Sequence, residues 1–249
     1  MYTTCVPIRL YIAPGSRYYD LYIYTDVLSV GVWQEVAELQ DPELKRLASC
    51  LPETMLSSRA SSTVAKYLRG FIKWKKWAQL RSEVTVFPAG EVHFALYLQH
   101  LGETTSSKAA VEEALNAISW AHQLAGQPPI SASAFVRATV AGLQRKLAKP
   151  KVKKEPVSAE MLAALVDSLG SSPSLSDVRL AASTLVSFAA FLRFDELAKL
   201  RGCDVRFSEE NMSVHITSSK TDQFRQGDTV IVARTNTDTC PVAMMERYM

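Results

Sequence analysis

Cysteine is sparse and scattered: Cys5, Cys50, Cys203 and Cys240 stand far apart, with no Cys-x-x-Cys pair. The four histidines, His93, His100, His122 and His215, form no cluster either. Both absences argue against a structural zinc site or a disulfide framework and fit a reducing compartment. No run approaches the ~18 apolar residues of a membrane-spanning helix. The opening MYTTCVPIRLYIAPGSRYYD lacks the charged region, apolar stretch and small-residue cleavage site of a secretory signal. A soluble intracellular protein is expected, nuclear or cytoplasmic, with no membrane and no metal as partner. Net charge is small as well, +3 over 249 residues, so where the charges fall matters more than their sum.

What is present is an ordinary globular balance, 47% hydrophobic and 21% charged, enough for one large domain or two modest ones. Residues 1–55 read as a leader unlike the rest; YYDLYIYTDVLSVGVW, rich in tyrosine and β-branched residues, suggests short strand or irregular structure. From Ser61 the pattern turns helical. SSTVAKYLRGFIKWKKWAQL sets Val64, Tyr67, Leu68, Phe71, Trp74 and Leu80 on an apolar stripe ringed by lysines, among them Lys73 and Lys76. A second helix is expected with Pro88 at its start and Gly102 near its end. A third is expected between Ser106 or Ser107 and Gly126, and a fourth over SASAFVRATVAGLQRKLAK. Four short-looped helices over 56–148 predict a compact all-α bundle. Its Trp74, Trp77 and Trp120 read as core, and His93, His100 and His122 as packing or surface residues.

KPKVKKEPVS follows, with two prolines and four lysines, and reads as a linker over 149–157. No acidic residue lies between Arg137 and Lys154, so this stretch is either a solvated helix face plus tether or a basic strap for a phosphate backbone. KPKVKK is also compatible with a nuclear import signal. Beyond it, residues 158–249 begin a second α-rich unit, with Ser158 as a cap and a long apolar pattern from Leu175 to Leu200. The period then changes to two. MSVHITSS and DTVIVART are strand candidates joined by KTDQFRQG, and CPVAMMERYM restarts a helix at Pro241.

Arg193 sits inside that long apolar pattern, between Leu192 and Phe194. A guanidinium is always charged, so it calls for an anionic partner, from the protein or from a ligand. Glu196, three residues on, shares its helix face. On composition alone this pair reads first as an ordinary surface or domain-bridging ion pair, and Lys220 in TSSKTDQ as a solvated turn residue.

Taken in order, these segments resemble the tyrosine recombinases, the phage-integrase family of site-specific DNA recombinases. AAFLRFDELAKLRGCDV is similar to the family's first catalytic box, with Arg193, Glu196, Leu197 and Leu200 at the matching positions. ITSSKTDQFRQGDTVIV is similar to the hairpin that carries the catalytic lysine, here Lys220. SKTDQ-x-R-x-G followed by CPV especially resembles recombinase-type proteins of eukaryotic mobile elements and viral-like integrases. The resemblance covers residues 55–249. It implies a mainly α fold: a four-helix, SAM-like core-binding domain, then the first half of an α-rich catalytic domain with a small β-sheet.

The implied chemistry is attack of a tyrosine hydroxyl on a DNA phosphodiester, giving a phosphotyrosyl link, with no cofactor. The catalytic site would comprise Arg193 as clamp on the non-bridging oxygens, Glu196 holding it, and Lys220 as general acid. Double-stranded DNA would be the partner, met by Lys73, Lys76, Arg145, Lys146, Lys149, Lys151, Lys153, Lys154 and Arg225, with self-association on DNA. The family also uses a His-x-x-Arg box and a nucleophilic tyrosine after the lysine. Here no histidine has arginine three residues later, and Tyr248, the only tyrosine after Arg193, reads as a core residue. A truncated, inactive recombinase is therefore expected. The alternative is a non-catalytic DNA-binding or regulatory helical protein derived from a mobile element.

Overall fold

The computed structural model describes residues 26–150, 153–217, 219 and 227–249. The chain divides into two compact units, Met1–Lys151 and Val152–Met249. The architecture is mainly α with one small antiparallel sheet, as the sequence pattern implies.

In the first unit the order is α1 (Val32–Glu38), α2 (Pro42–Ser57), α3 (Ser61–Gln79), α4 (Glu91–Thr105), α5 (Lys108–Leu124) and α6 (Ala134–Lys146). Of the strand or irregular structure expected over residues 18–33, the described end shows no strand: residues 27–31 are turns and a bend, and Val32 already starts a helix. Tertiary bonds override the β-branched composition there. The buried Trp33 indole donates to the Leu124 carbonyl at 2.7 Å, and Val32 N–H donates to Ala125 O at 3.2 Å. Helix α2 is capped by Asp41, whose carboxylate accepts from the Glu43 and Leu44 N–H groups.

The stripe foreseen on α3 is the core except at Leu80, which follows the helix end and is exposed: Phe71 and Trp74 are fully buried with Phe94, Leu98, Val111, Ile118 and Val136. Helix α3 lies against α5 at Gly70, where an added Cβ would sit 2.6 Å from Ala117 Cβ, so only glycine permits that approach. The connection from α3 to α4 is longer than expected, and Pro88 lies outside the helix, which starts at Glu91. Two buried side chains hold this connection. Trp74 Nε1 donates to Val86 O at 2.8 Å, and Ala89 N–H donates to His122 Nε2 at 3.2 Å. Because Nε2 accepts, the His122 proton is on Nδ1, which donates to Pro128 O at 3.1 Å. Burial lowers the His122 pKa, against that carbonyl's opposing effect. Trp120 is core as well, while Trp77 is partly buried with Arg81 stacked 3.9 Å from its ring centroid.

The second unit comprises α7 (Ala159–Asp167), α8 (Leu175–Ala189), α9 (Phe194–Lys199), strands β1 (Val205–Phe207), β2 (Asn211–Ile216) and β3 (Asp228–Ala233), and α10 (Pro241–Tyr248). Ser158 caps α7, and α8 begins with a reciprocal Ser174–Asp177 capping box. The strands pair antiparallel in the order β1-β2-β3, with Val214 opposite Val230 and Met212 opposite Val232. Met212 and Val214 point into a core shared with Ala181, Ala182, Val186 and Val242. Tyr248 is partly buried against this core. Strand β1, three residues long, was not foreseen; a segment so short carries no readable period.

The uninterrupted pattern from Leu175 to Leu200 is broken, which corrects the placement of Arg193 within a helix. Helix α8 ends at Ala189, Phe191 takes a left-handed φ of 52°, and Leu192 N–H returns to Ser187 O at 3.0 Å. That bond closes a Schellman-type turn with phenylalanine where glycine is usual. Arg193 then stands at the N-cap of α9, and Phe191, 90% exposed, lies outside the core.

Candidate functional site

The start of α9 builds the site from local rules. An N-cap position leaves the first helical N–H groups without partners, and arginine, having only donors, cannot accept from them. Glu196 at the third helical position supplies the acceptor instead: its Oε2 takes the Arg193 backbone N–H at 2.8 Å. The same carboxylate turns its Oε1 to the side chain of Arg193, which donates from Nη1 at 2.9 Å.

A third residue closes the arrangement. Ser219, just beyond β2, donates its hydroxyl to Glu196 Oε1 at 2.7 Å and accepts from Arg193 Nη1 at 3.0 Å. Both hydrogens of Nη1 are thereby used. Nε–H and Nη2 of Arg193 have no hydrogen-bond acceptor among the described residues. The Glu196 side chain is 6% exposed and that of Arg193 is 54% exposed, so the carboxylate is inside and the free edge of the guanidinium is outside. The Glu196 pKa is held below its ordinary 4.5, first by the Arg193 backbone N–H and next by the Ser219 hydroxyl. Burial opposes them, and the guanidinium adds its own lowering effect.

An internal comparison lies eight residues on. Arg201 and Asp204 repeat the Arg-x-x-acid spacing, with the Arg201 backbone N–H on Asp204 Oδ2 at 2.9 Å and Nε on the same oxygen at 3.3 Å. No distant hydroxyl joins that pair among the described residues. Spacing alone thus gives a helix cap, and among the described residues only the first pair is tied to Ser219, beyond β2.

Of the remaining residues singled out from the sequence, Lys220, Arg225 and Lys151 lie outside the described residues. Lys73 lies 3.5 Å from Glu113, which also faces Lys66 at 3.6 Å, so one carboxylate offsets part of that helix's charge. Lys76, Arg145, Lys146, Lys149, Lys153 and Lys154 are exposed. Arg145 and Lys146 occupy the last turn of α6, where cations suit the helix dipole. Ser219 is the residue that sequence reasoning missed: within TSSK nothing distinguishes one serine from its neighbour. Among the described residues no group of three or more His, Cys, Asp or Glu could hold a metal ion, and no helix is long and apolar enough to cross a membrane.

The second unit thus presents a preorganised guanidinium on an α-rich scaffold, an arrangement suited to an oxyanion such as a phosphate. No family model matches the chain. It is similar to a protein of Selenomonas ruminantium described as an integrase/recombinase xerD homolog, 24% identical over 209 residues. That match covers 82% of this chain and 60% of the relative's length.

Proposed function

We propose that this chain is a DNA-binding protein of the tyrosine recombinase family, in which Arg193 grips a backbone phosphate. The observation that carries the reading is the edge of Arg193: a guanidinium fixed through Nη1 and, among the described residues, without an acceptor at Nε and Nη2. That geometry suits the fork-like pairing of arginine with two phosphate oxygens. The order of Arg193, Glu196 and Lys220 behind a helical unit and a basic segment supports it, as does the likeness to an integrase/recombinase.

In this reading Glu196 orients the clamp and Lys220 protonates the leaving oxygen. In the transition state, charge builds on the non-bridging oxygens, and losing one such donor typically costs about 10²- to 10³-fold in rate. The 249 residues carry this half of the chemistry without a His-x-x-Arg sequence. On that basis they bind duplex DNA and hold the phosphate without completing strand exchange, and a suicide substrate yields no covalent adduct.

The test is duplex binding across a salt series. Arg193→Gln lowers the slope of log affinity against log salt by about 1, as expected for one lost phosphate contact. Arg201→Gln, at the sister pair, leaves the slope unchanged. If Arg193→Gln has no effect while charge reversal of Lys149, Lys153 and Lys154 abolishes binding, the non-catalytic DNA-binding alternative replaces this one.

A further inference from the structure

We propose that Ser219 is the positioning residue for Arg193, its hydroxyl locking the plane of the guanidinium so that the free edge keeps one direction. The proposal rests on the reading of Arg193 as a phosphate clamp and adds what holds the clamp in place. A single bond from Nη1 to Glu196 leaves the guanidinium free to swing about that bond. A second bond from the same nitrogen to a different group removes the swing, and Ser219 Oγ makes it at 3.0 Å.

The direction of each bond follows from chemistry. Arginine can only donate and an ionised carboxylate can only accept. The one hydroxyl hydrogen therefore goes to Glu196 Oε1 at 2.7 Å, and an oxygen lone pair meets Nη1. The three groups form a closed ring in which each fixes the other two.

A hydroxyl is the suitable acceptor for this task. A second carboxylate would hold the arginine as firmly but would add negative charge beside the place where a phosphate binds. Serine supplies geometry and leaves the electrostatics unchanged. Ser219 also immediately precedes Lys220 in sequence, so the bond that orients the arginine is made by the chain neighbour of the proposed general acid. The Arg201–Asp204 pair shows the same spacing without this lock. Its guanidinium, with a side chain 68% exposed, is held by its own acid alone among the described residues.

The experiment compares the wild-type chain with Ser219→Ala, Ser219→Thr and Arg193→Gln. It follows the Arg193 guanidinium and Glu196 carboxyl signals by NMR without DNA, then duplex affinity at low salt. Ser219→Ala is expected to broaden the Arg193 signals, raise the Glu196 titration midpoint and leave Asp204 unmoved. It should also weaken duplex binding about two- to tenfold, the worth of one hydrogen bond. Ser219→Thr, which keeps the hydroxyl, restores all three. Wild-type Arg193 and Glu196 signals in Ser219→Ala overturn the proposal, whatever the DNA affinity. Altered signals with wild-type affinity in both Ser219→Ala and Arg193→Gln uphold the positioning role and refute the phosphate clamp.

Discussion

The Ser219 hydroxyl and Arg193 Nη1 meet at 3.0 Å across 26 residues of chain, and both rest on the same carboxylate oxygen of Glu196. Helix α9 alone would give Arg193 a cap partner; the segment after β2 gives it an orientation. Two of these bonds end on Glu196 Oε1, and the Arg193 backbone N–H on Oε2 adds a third, so this buried carboxylate is satisfied from three directions.

That has a consequence for pH. The Glu196 pKa is lowered on folding, so its contribution to stability is fully present above the unfolded value, near 4.5, and is lost as pH falls through the folded value. Glu196→Gln removes this dependence and also leaves the Arg193 guanidinium without its counter-charge. In urea titrations from pH 6 downward, the wild-type second unit should lose stability below 4.5 more steeply than the variant. Parallel curves for the two proteins would contradict the assignment.

His122 sets a different window in the first unit. Its pKa is lowered by burial, so the folded state holds the ring neutral while the unfolded chain protonates near 6.5. Stability is therefore full above that value and declines as pH falls below it toward the folded pKa. A protonated Nε2 would also face the Ala89 N–H with a second donor. All four tryptophans, Trp33, Trp74, Trp77 and Trp120, belong to this unit, so their fluorescence reports its unfolding by itself. His122→Ala should flatten the decline and cost about 1–3 kcal/mol at neutral pH, because it leaves the Ala89 N–H and the Pro128 carbonyl unpaired.

Phe191 offers a stabilising change. A side chain with a Cβ in the left-handed region costs roughly 1–2 kcal/mol, and glycine gives back about 0.5–1 through its freer unfolded state. With its ring 90% exposed, Phe191 buries little to offset that strain. Phe191→Gly is expected to stabilise the second unit by about 0.5–1 kcal/mol. Slower amide exchange at Met212 and Val214 in β2 would register it; faster exchange would show that the phenylalanine ring has a packing role.

Much of this was legible from residue order. The apolar stripe of Phe71 and Trp74, the serine cap at Ser158, and the period-two strands around Val214 and Val232 depend on neighbours a few residues away. The Arg193–Glu196 spacing belongs to the same class. At i and i+3 a carboxylate reaches the N-cap amide whatever surrounds it, and the Arg201–Asp204 pair repeats the result. The break before Arg193 was not legible, because phenylalanine at 191 carries none of the signal that a glycine there would give.

Sequence by itself therefore determined the apolar stripe of α3, the Ser158 cap and the pairing of Arg193 with Glu196, because those contacts close within a few residues of backbone. Tertiary structure alone decided which arginine acquires a fixed direction. Ser219, just beyond β2, meets Arg193 and Glu196 at the start of α9 across 26 and 23 residues of chain, and such contacts follow from the packing of the second unit rather than from any local pattern.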